Sequence, residues 1–254
     1  MTEDILGYSV SCLRVDQFCE RILVAIDSGK KSWLACFNPH SYAVSKNDAH
    51  FATALHSASW LVPDGIGVVL TSQFFAGKIK SRITGSDIFD ILSAQMNSKR
   101  RYKVFFLGSS LEVLDKIQNR FQIEYPNIDL VGTFSPPFKK SFDENDLNQM
   151  RSTINSAKPD VLWVGLTAPK QEKWIFDNLD YLDVRFAGAI GAKFDFYAKT
   201  ILRPPTVIQV IGCEWLYRLL LEPQRLWRRT LISAPKFIMD VILGKVRTMR
   251  KLLK

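Results

Sequence analysis

The chain has 254 residues, 47% of them apolar, so it can bury a full-sized core and is not a disordered chain. No apolar run approaches the roughly 18 residues of a transmembrane helix, and the acidic N-terminus lacks the basic and apolar regions of a signal peptide, so we expect a cytoplasmic protein. Of the net charge of +9, residues 218–254 carry +8, with ten Lys and Arg against two acids. A nearly neutral body with a basic tail argues against a nucleic-acid-binding protein, whose basic surface is usually spread over the fold.

Short apolar runs alternate with amphipathic stretches along the first 190 residues. The predicted strands are 5–12, 33–37, 61–62, 104–107, 128–134, 161–166 and 185–190. The predicted helices are 15–28, 38–55, 67–75, 86–97, 108–124, 143–157 and 170–179. Six or so short apolar strands separated by helices indicate an α/β fold, a Rossmann-like open parallel sheet with helices on both faces.

The pattern changes after residue 190. A loop-rich stretch, 191–205, is followed by two predicted helical blocks, 206–222 and 223–251, so we expect an α/β domain over 1–205 and a helical appendage over 206–254. The second block repeats apolar residues with a period close to 3.6, and Lys and Arg take the other positions. Such a stripe is typical of core packing, but next to a basic face it also suits a helix lying on an anionic membrane surface.

The stretch WLVPDGIG, residues 60–67, predicts a buried strand that passes through a tight turn into a helix. Asp64 follows the strand directly. Ligands of open α/β sheets bind beyond the carboxyl ends of the strands, so Asp64 is a candidate for the chemistry of the protein. An aspartate before a helix can equally serve as an N-cap, and the stretch alone does not separate the two interpretations.

Further strand ends carry groups suited to phosphate or sugar. Gly108 and Ser109 open a predicted helix whose amides could attract an anion, or they form a simple turn and cap. Lys170, Gln171 and Glu172 suit sugar hydroxyls, or they form a solvated helix start. No Asp-x-Asp pair occurs and the four cysteines and three histidines show no metal-ligand spacing, so we expect no metal and a diphosphate met by arginines and backbone amides.

The chain resembles the WecG/TagA/CpsF glycosyltransferases, the bacterial family 26 enzymes, through motifs that span nearly its whole length. These are Asn38, PDGIG at 63–67, RITGSD at 82–87, FFLGSS at 105–110, GLTAPKQEKW at 165–174, GAIGAKFDF at 188–196, RPP at 203–205 and EWLYRLLLEPQRLWRR at 214–229. The resemblance implies transfer of a sugar, commonly N-acetylmannosamine or its uronate, from a UDP-sugar to an amino sugar on a polyprenyl diphosphate. It also implies inversion at the anomeric carbon and no metal or other cofactor.

The resemblance assigns roles to individual residues. By its place in the family motif, Asp64 is the base that takes the proton of the acceptor hydroxyl. Asn38, Arg82 and Gln171 match residues of the substrate pocket. Cys36 departs from the family, because many relatives carry threonine there and a thiol lacks the hydroxyl that threonine offers.

A second glycine-rich motif contains Gly188, Gly191 and Asp195. We expect this motif to lie beside the nucleotide; the alternative is that the glycines permit a sharp turn and Asp195 caps it. Both interpretations stay open at the level of the sequence.

The same resemblance implies a role for the basic C-terminal tail. Relatives use this segment to reach the membrane and to complete the active site, and Arg218, Arg225 and Arg228 match arginines that meet the acceptor diphosphate. We therefore predict a peripheral enzyme on the cytoplasmic face of the cell membrane that self-associates as relatives do. The alternatives are a non-catalytic, nucleotide-binding scaffold docked on the membrane and, disfavoured by the incomplete glycine fingerprint at 65–67, a dinucleotide oxidoreductase.

Overall fold

The computed structural model describes residues 1–99, 101–201, 205, 214–221 and 223–252, without the side chains of residues 214, 218, 225, 229 and 245–252. Its centre is a six-stranded sheet in which all paired strands are parallel, in the order β4-β3-β8-β7-β5-β6. The strands are β3 (Ser32–Phe37), β4 (Trp60–Pro63), β5 (Lys103–Gly108), β6 (Asp129–Phe134), β7 (Val161–Gly165) and β8 (Phe186–Ala189). The prediction of an open parallel sheet is confirmed.

Helices cover both faces of this sheet, as expected for strands that are apolar on both sides. The helices of the α/β body are α1 (Val15–Asp27), α2 (Pro39–Ser45), α3 (Ala49–Ser57), α4 (Ile66–Phe74), α5 (Gly85–Asn97), α6 (Leu111–Glu124), α7 (Glu144–Ala157), α8 (Lys170–Asn178) and α9 (Lys193–Tyr197). Alternate side chains of one strand enter different cores: Phe105 packs with α3, α7 and α8, whereas Phe106 packs with α1, α5 and α6.

The prediction of a single strand over residues 5–12 is wrong. Residues 2–11 instead form an antiparallel hairpin of two strands, β1 (Thr2–Ile5) and β2 (Tyr8–Ser11). Leu6 and Gly7 form its two-residue turn with φ of +53° and +91°. Paired positive φ values match the right-handed twist of hairpin strands, so the apolar run folds back on itself.

The predicted helix 38–55 is two helices, α2 and α3. Asp48 separates them, because its side chain accepts the N–H of Phe51 at 3.0 Å and so caps a new helix. The next helix but one, α5, is capped by Thr84 and Asp87 in a reciprocal capping box, not by Ser86. Within the described part of the loop-rich stretch 191–205, residues 193–197 form a short helix, α9.

The C-terminal segment is helical but more broken than the sequence pattern predicts. In its described part the helices are α10 (Glu214–Leu221), α11 (Pro223–Arg228) and α12 (Ala234–Leu252), with a wider π-turn at Arg229–Ser233 before α12. Pro235 has no N–H to donate one turn back, which accounts for the interruption. Residues 206–213, and with them the predicted boundary between body and appendage, lie outside the described residues.

The appendage packs on the body through a few buried side chains. Phe237 and Val241 of α12 belong to the same core as Tyr42 of α2, and the rings of Phe237 and Tyr42 lie edge to face with centroids 5.4 Å apart. Among the described helices, none has both the length and the hydropathy needed to cross a membrane.

Candidate functional site

Asp64 lies at the carboxyl end of β4, next to the end of β3. Its backbone N–H donates to the carbonyl oxygen of Phe37 at 2.8 Å, which continues the β3–β4 pairing one residue beyond the strand. Gly65 then takes φ of +100°, a conformation that glycine adopts readily, and the chain turns into α4. The sheet therefore fixes the backbone of Asp64 while its side chain is only half-buried.

Asn38 occupies the corresponding position after β3 and makes two kinds of contact. Its Oδ1 accepts the N–H groups of His40 and Ser41, both at 3.0 Å, and caps α2. Its Nδ2 donates to Oδ2 of Asp64 at 3.3 Å. Because the cap fixes which end of the amide faces α2, the donor end necessarily faces the carboxylate.

Gly65, not Asp64, takes the N-cap position of α4, so Asp64 lies one residue before the helix cap. Gly67 has a packing role, because a Cβ there would come within 2.8 Å of Cγ of Pro39 at the start of α2. The two glycines of PDGIG thus serve a turn and a close helix contact.

Cys36 lies in β3 beneath this edge, with its Sγ 3.9 Å from the carbonyl oxygen of Ala189. Burial raises the pKa of the thiol well above its usual value, and the carboxylates of Asp64 and Glu172 raise it further. The thiol is therefore protonated at neutral pH. A neutral thiol between two carboxylates avoids adding a third negative charge.

Gln171, the second residue of α8, is 4% exposed and connects the ends of β7 and β8. Its Oε1 accepts the backbone N–H of Gly191 at 3.1 Å, and its Nε2 donates to Oε1 of Glu172 at 2.9 Å. Gly191 has φ of +51°, which confirms the predicted sharp turn. The interpretation of this segment as a solvated helix start is wrong for Gln171 and Glu172.

The remaining glycines of the predicted site have packing reasons. Gly188 lies inside β8, where a Cβ would overlap the ring of Trp163. Gly108 has φ of +118° and passes so close to β7 that a Cβ would lie 2.6 Å from the carbonyl oxygen of Gly165. Ser109 follows in a left-handed conformation, and Ser110 caps α6. The turn-and-cap interpretation is confirmed here, and an anion cradle at Ser109 stays a prediction.

Arg82 lies on the loop that precedes α5, and Asp195 lies in the short helix α9 that follows β8. The N–H of Ile83 donates to the carbonyl oxygen of Pro63 at 2.9 Å, which places half-buried Arg82 beside the end of β4. Asp195 is the third residue of α9, whose N-cap is Ala192, and both its role as a cap of the turn and its role beside the nucleotide stay predictions.

Of the predicted diphosphate arginines, only Arg228 has a described side chain. Its guanidinium carbon lies 5.3 Å from the ring centroid of Trp227, and both side chains are exposed. The backbones of Arg218 and Arg225 lie in α10 and α11, and their side chains are outside the described residues.

Sequence reasoning missed the contacts that fasten the appendage beside Asn38. Nδ1 of His40 and Oγ of Ser233 are 2.9 Å apart, which joins the first turn of α2 to the π-turn. Asp240 of α12 accepts the hydroxyl of Tyr42 at 3.0 Å and Nζ of Lys46 at 2.6 Å. The sequence contained one signal of these contacts, because Asp240 is one of two acids among ten Lys and Arg in residues 218–254.

The carboxyl ends of β4, β3 and β7 thus place Asp64, Asn38, Cys36 and Gln171 along one edge of the sheet, and Gln171 bonds the turn after β8. Within the described part of the chain, no group of three or more His, Cys, Asp or Glu side chains is arranged to hold a metal ion. The arrangement offers a half-buried carboxylate, held by an amide, at the edge where open parallel sheets bind ligands.

Comparison with known proteins gives a consistent result. The model of the family described as "Glycosyl transferase WecG/TagA/CpsF family" matches residues 3–251. An N-acetylglucosaminyldiphosphoundecaprenol N-acetyl-beta-D-mannosaminyltransferase of Bacillus subtilis (strain 168) is 30% identical over 217 residues, which cover 85% of this chain and 81% of the relative. A protein of the same name from Staphylococcus aureus (strain NCTC 8325 / PS 47) is 27% identical over 246 residues, covering 95% and 92%.

Proposed function

The chain belongs to the WecG/TagA/CpsF family of glycosyltransferases, and from this premise we propose which sugar it moves, from which donor and to which acceptor. The donor is a UDP-sugar, with N-acetylmannosamine or its uronate as the sugar. The acceptor is an N-acetylglucosamine carried on a polyprenyl diphosphate. The names of the Bacillus and Staphylococcus relatives support the sugar and the acceptor, and the product would serve the synthesis of a cell-surface polysaccharide.

The observation that carries the mechanism is the Asp64 carboxylate held by Asn38 at the sheet edge. Asp64 takes the proton of the acceptor hydroxyl while the acceptor oxygen bonds to the anomeric carbon of the donor. The bond between that carbon and the phosphate oxygen breaks, and UDP leaves with the electron pair. One displacement from the opposite side inverts the anomeric centre.

In this proposal cations and amides of the chain, rather than a metal, offset the negative charge that develops on the leaving UDP. Arg82 is suited to the donor because it lies close to Asp64. The residue after Arg82, Ile83, donates its N–H to the carbonyl oxygen of Pro63, the residue before Asp64. The amides after Gly108 are suited to the nucleotide because they open α6, a helix of 14 residues.

The C-terminal segment completes the site in this proposal, with Arg218, Arg225 and Arg228 meeting the diphosphate of the lipid-linked acceptor. Support comes from the docking of the segment: His40, which bonds Ser233, lies two residues after Asn38. The helices that carry the three arginines directly precede the π-turn that contains Ser233.

The same segment brings the enzyme to the membrane surface. The exposed faces of the π-turn and α12 present apolar side chains, and α4 adds two more: Leu70, Phe74, Leu231, Ile238, Met239, Ile242 and Leu243. Together with the net charge of +8 over residues 218–254, this surface suits shallow insertion among anionic headgroups. The headgroup layer would also suit Trp215 and Trp227, which are 49% and 42% exposed.

A donor screen against one defined acceptor tests this function. The protein is incubated with a polyprenyl-diphosphate N-acetylglucosamine and, in turn, with UDP-linked N-acetylmannosamine, its uronate, N-acetylglucosamine and glucose. We expect UDP release and a lipid-linked disaccharide with one of the first two donors. Binding of UDP without turnover of any donor would instead support the nucleotide-binding scaffold.

A further inference from the structure

Glu172 is a buried acid that the mechanism above does not use. The residue is 2% exposed in the first turn of α8. Its Oε1 accepts Nε2 of Gln171 at 2.9 Å, whereas its Oε2 has no hydrogen-bond partner within the part of the chain that the structure describes. A buried carboxylate oxygen without a partner is costly and is retained in proteins where it has a use.

The surroundings of Glu172 offer it no neutralising cation among the described residues. On α8 itself, Lys173 pairs with Asp48 and Lys170 donates to the carbonyl oxygen of Lys139. The other described titratable groups on the neighbouring elements are the histidines of α3, Cys36 of β3 and Asp64. His50 pairs with Asp177 of α8, and the ring of His56 stacks on Tyr8. Burial therefore dominates and raises the pKa of Glu172 to about 7.

A chain of two hydrogen bonds leads from Glu172 to the turn after β8. Gln171 receives the N–H of Gly191 on its Oε1 and presents its Nε2 to Glu172. An ionised carboxylate accepts hydrogen bonds only, so it enforces this orientation of the amide. A protonated carboxyl carries an O–H and can instead donate to Oε1 of Gln171 once the amide turns over. In that orientation Nε2 of Gln171 faces the N–H of Gly191, and two donors cannot bond each other.

We propose that Glu172 is a positioning residue for the transfer reaction, which in its ionised state locks the Gln171 amide onto Gly191. The lock holds the turn after β8 in place, and β8 is the neighbour of β3, whose end carries Asn38. Protonation of Glu172 releases the lock. This inference rests on the proposed function for its effect on the rate, but the lock itself can be observed without any turnover.

The test compares full-length wild type with Glu172→Gln, a variant of the same size that cannot ionise. The first readout is the ¹⁵N chemical shift of the Gly191 amide between pH 5.5 and 8.5. We expect it to titrate with an apparent pKa of about 7 in the wild type and to stay flat in Glu172→Gln. His50→Gln is the matched control, because it removes the imidazole that pairs with Asp177 of α8 and leaves Glu172 in place, and it should leave the titration unchanged.

The second readout is the pH dependence of transfer. We expect kcat of the wild type to rise through the same ionisation, and kcat of Glu172→Gln to lack that rise and to be about tenfold lower at pH 8, with KM changed less. A Gly191 titration that persists in Glu172→Gln, or none in the wild type, overturns the proposal. A Glu172-dependent titration in a protein that transfers no sugar would refute the proposed function and leave the lock standing.

Discussion

The side-chain amide of Asn38 donates to the carboxylate of Asp64 at 3.3 Å and thereby joins the carboxyl ends of β3 and β4. The opposite end of the same amide caps α2. One residue thus starts a helix and orients the carboxylate that we propose as the base. The two contacts can be separated by mutation, because only one of them needs an N–H donor.

Asn38→Ala removes both contacts, and Asn38→Asp keeps only the cap. We expect Asn38→Ala to lower the free energy of unfolding by about 1 kcal/mol, and Asn38→Asp to change it less, since aspartate caps helices as well as asparagine does. Both variants should transfer sugar more slowly. In Asn38→Asp a second carboxylate faces Asp64, so the acid limb of the pH–rate profile should move to higher pH. An Asn38→Asp enzyme with the wild-type profile would contradict the proposed orientation of Asp64.

The buried Glu172 predicts an unusual dependence of stability on pH. Its pKa is raised from 4.5 to about 7 in the folded protein, so between these values the folded state binds more protons than the unfolded state. Stability from this group is complete below pH 4.5 and is lost as the pH rises to about 7. Glu172→Gln should therefore be more stable than the wild type at pH 8, by up to about 3 kcal/mol, and this difference should shrink towards pH 5.

Urea unfolding at the two pH values measures this difference directly. An equal effect of Glu172→Gln at pH 5 and pH 8 would mean that Glu172 does not titrate in the fold. The expected gain in stability together with a loss in rate is the usual relationship at functional sites, where a strained group is kept for its use.

The sequence predicted the sheet well, because buried parallel strands are short apolar runs and need no other signal. It failed where a turn, a capping group or a proline interrupts such a pattern, at Leu6 and Gly7 in the hairpin, at Asp48 between α2 and α3, and at Pro235 in the first turn of α12. Each of these was visible in the sequence as a glycine, a capping acid or a proline. Their effect depends on the backbone conformation that the surrounding fold selects.

The candidate site was less predictable from the sequence than the sheet. Strand ends and family motifs placed Asp64, Asn38 and Gln171 at one edge, but not the hydrogen bonds that join them to neighbouring residues. The run Lys170 to Lys173 has the composition of a solvated helix start, so nothing local reveals that Gln171 and Glu172 are buried. Burial of that pair follows from how α8 packs on the sheet, which is a tertiary property.

The contacts of Asp240 predict how the appendage is held on the body. Asp240→Ala leaves the hydroxyl of Tyr42 and the ammonium of Lys46 without this acceptor, so we expect a loss of about 1–2 kcal/mol in the docking of α12. Hydrogen exchange should become faster in α12 while the central sheet strands keep their protection. Tyr42→Phe, which removes only one of the two bonds, should give a smaller effect. Unchanged exchange in α12 would contradict a role of Asp240 in holding this helix on the body.

Membrane attachment through the apolar face of α12 can be tested with charge substitutions. The double variant Ile238→Glu and Ile242→Glu should float less with anionic liposomes, because both side chains are about half exposed and would insert among the headgroups. Val24→Glu is the matched control, since Val24 is an exposed apolar residue on a helix of the body. Deletion of residues 230–254 should have the larger effect. Flotation that is insensitive to all of these changes would refute a membrane-binding α12.

The central claim is that Asp64 accepts the proton of the acceptor hydroxyl without help from a metal ion. The most direct measurement is single-turnover transfer by wild type and Asp64→Asn in the presence of EDTA, with the fold of the variant verified by circular dichroism. We predict that EDTA leaves the wild-type rate unchanged and that Asp64→Asn is 10²–10⁴-fold slower, the usual contribution of a general base. A folded Asp64→Asn protein that forms the lipid-linked disaccharide at the wild-type rate would contradict the claim.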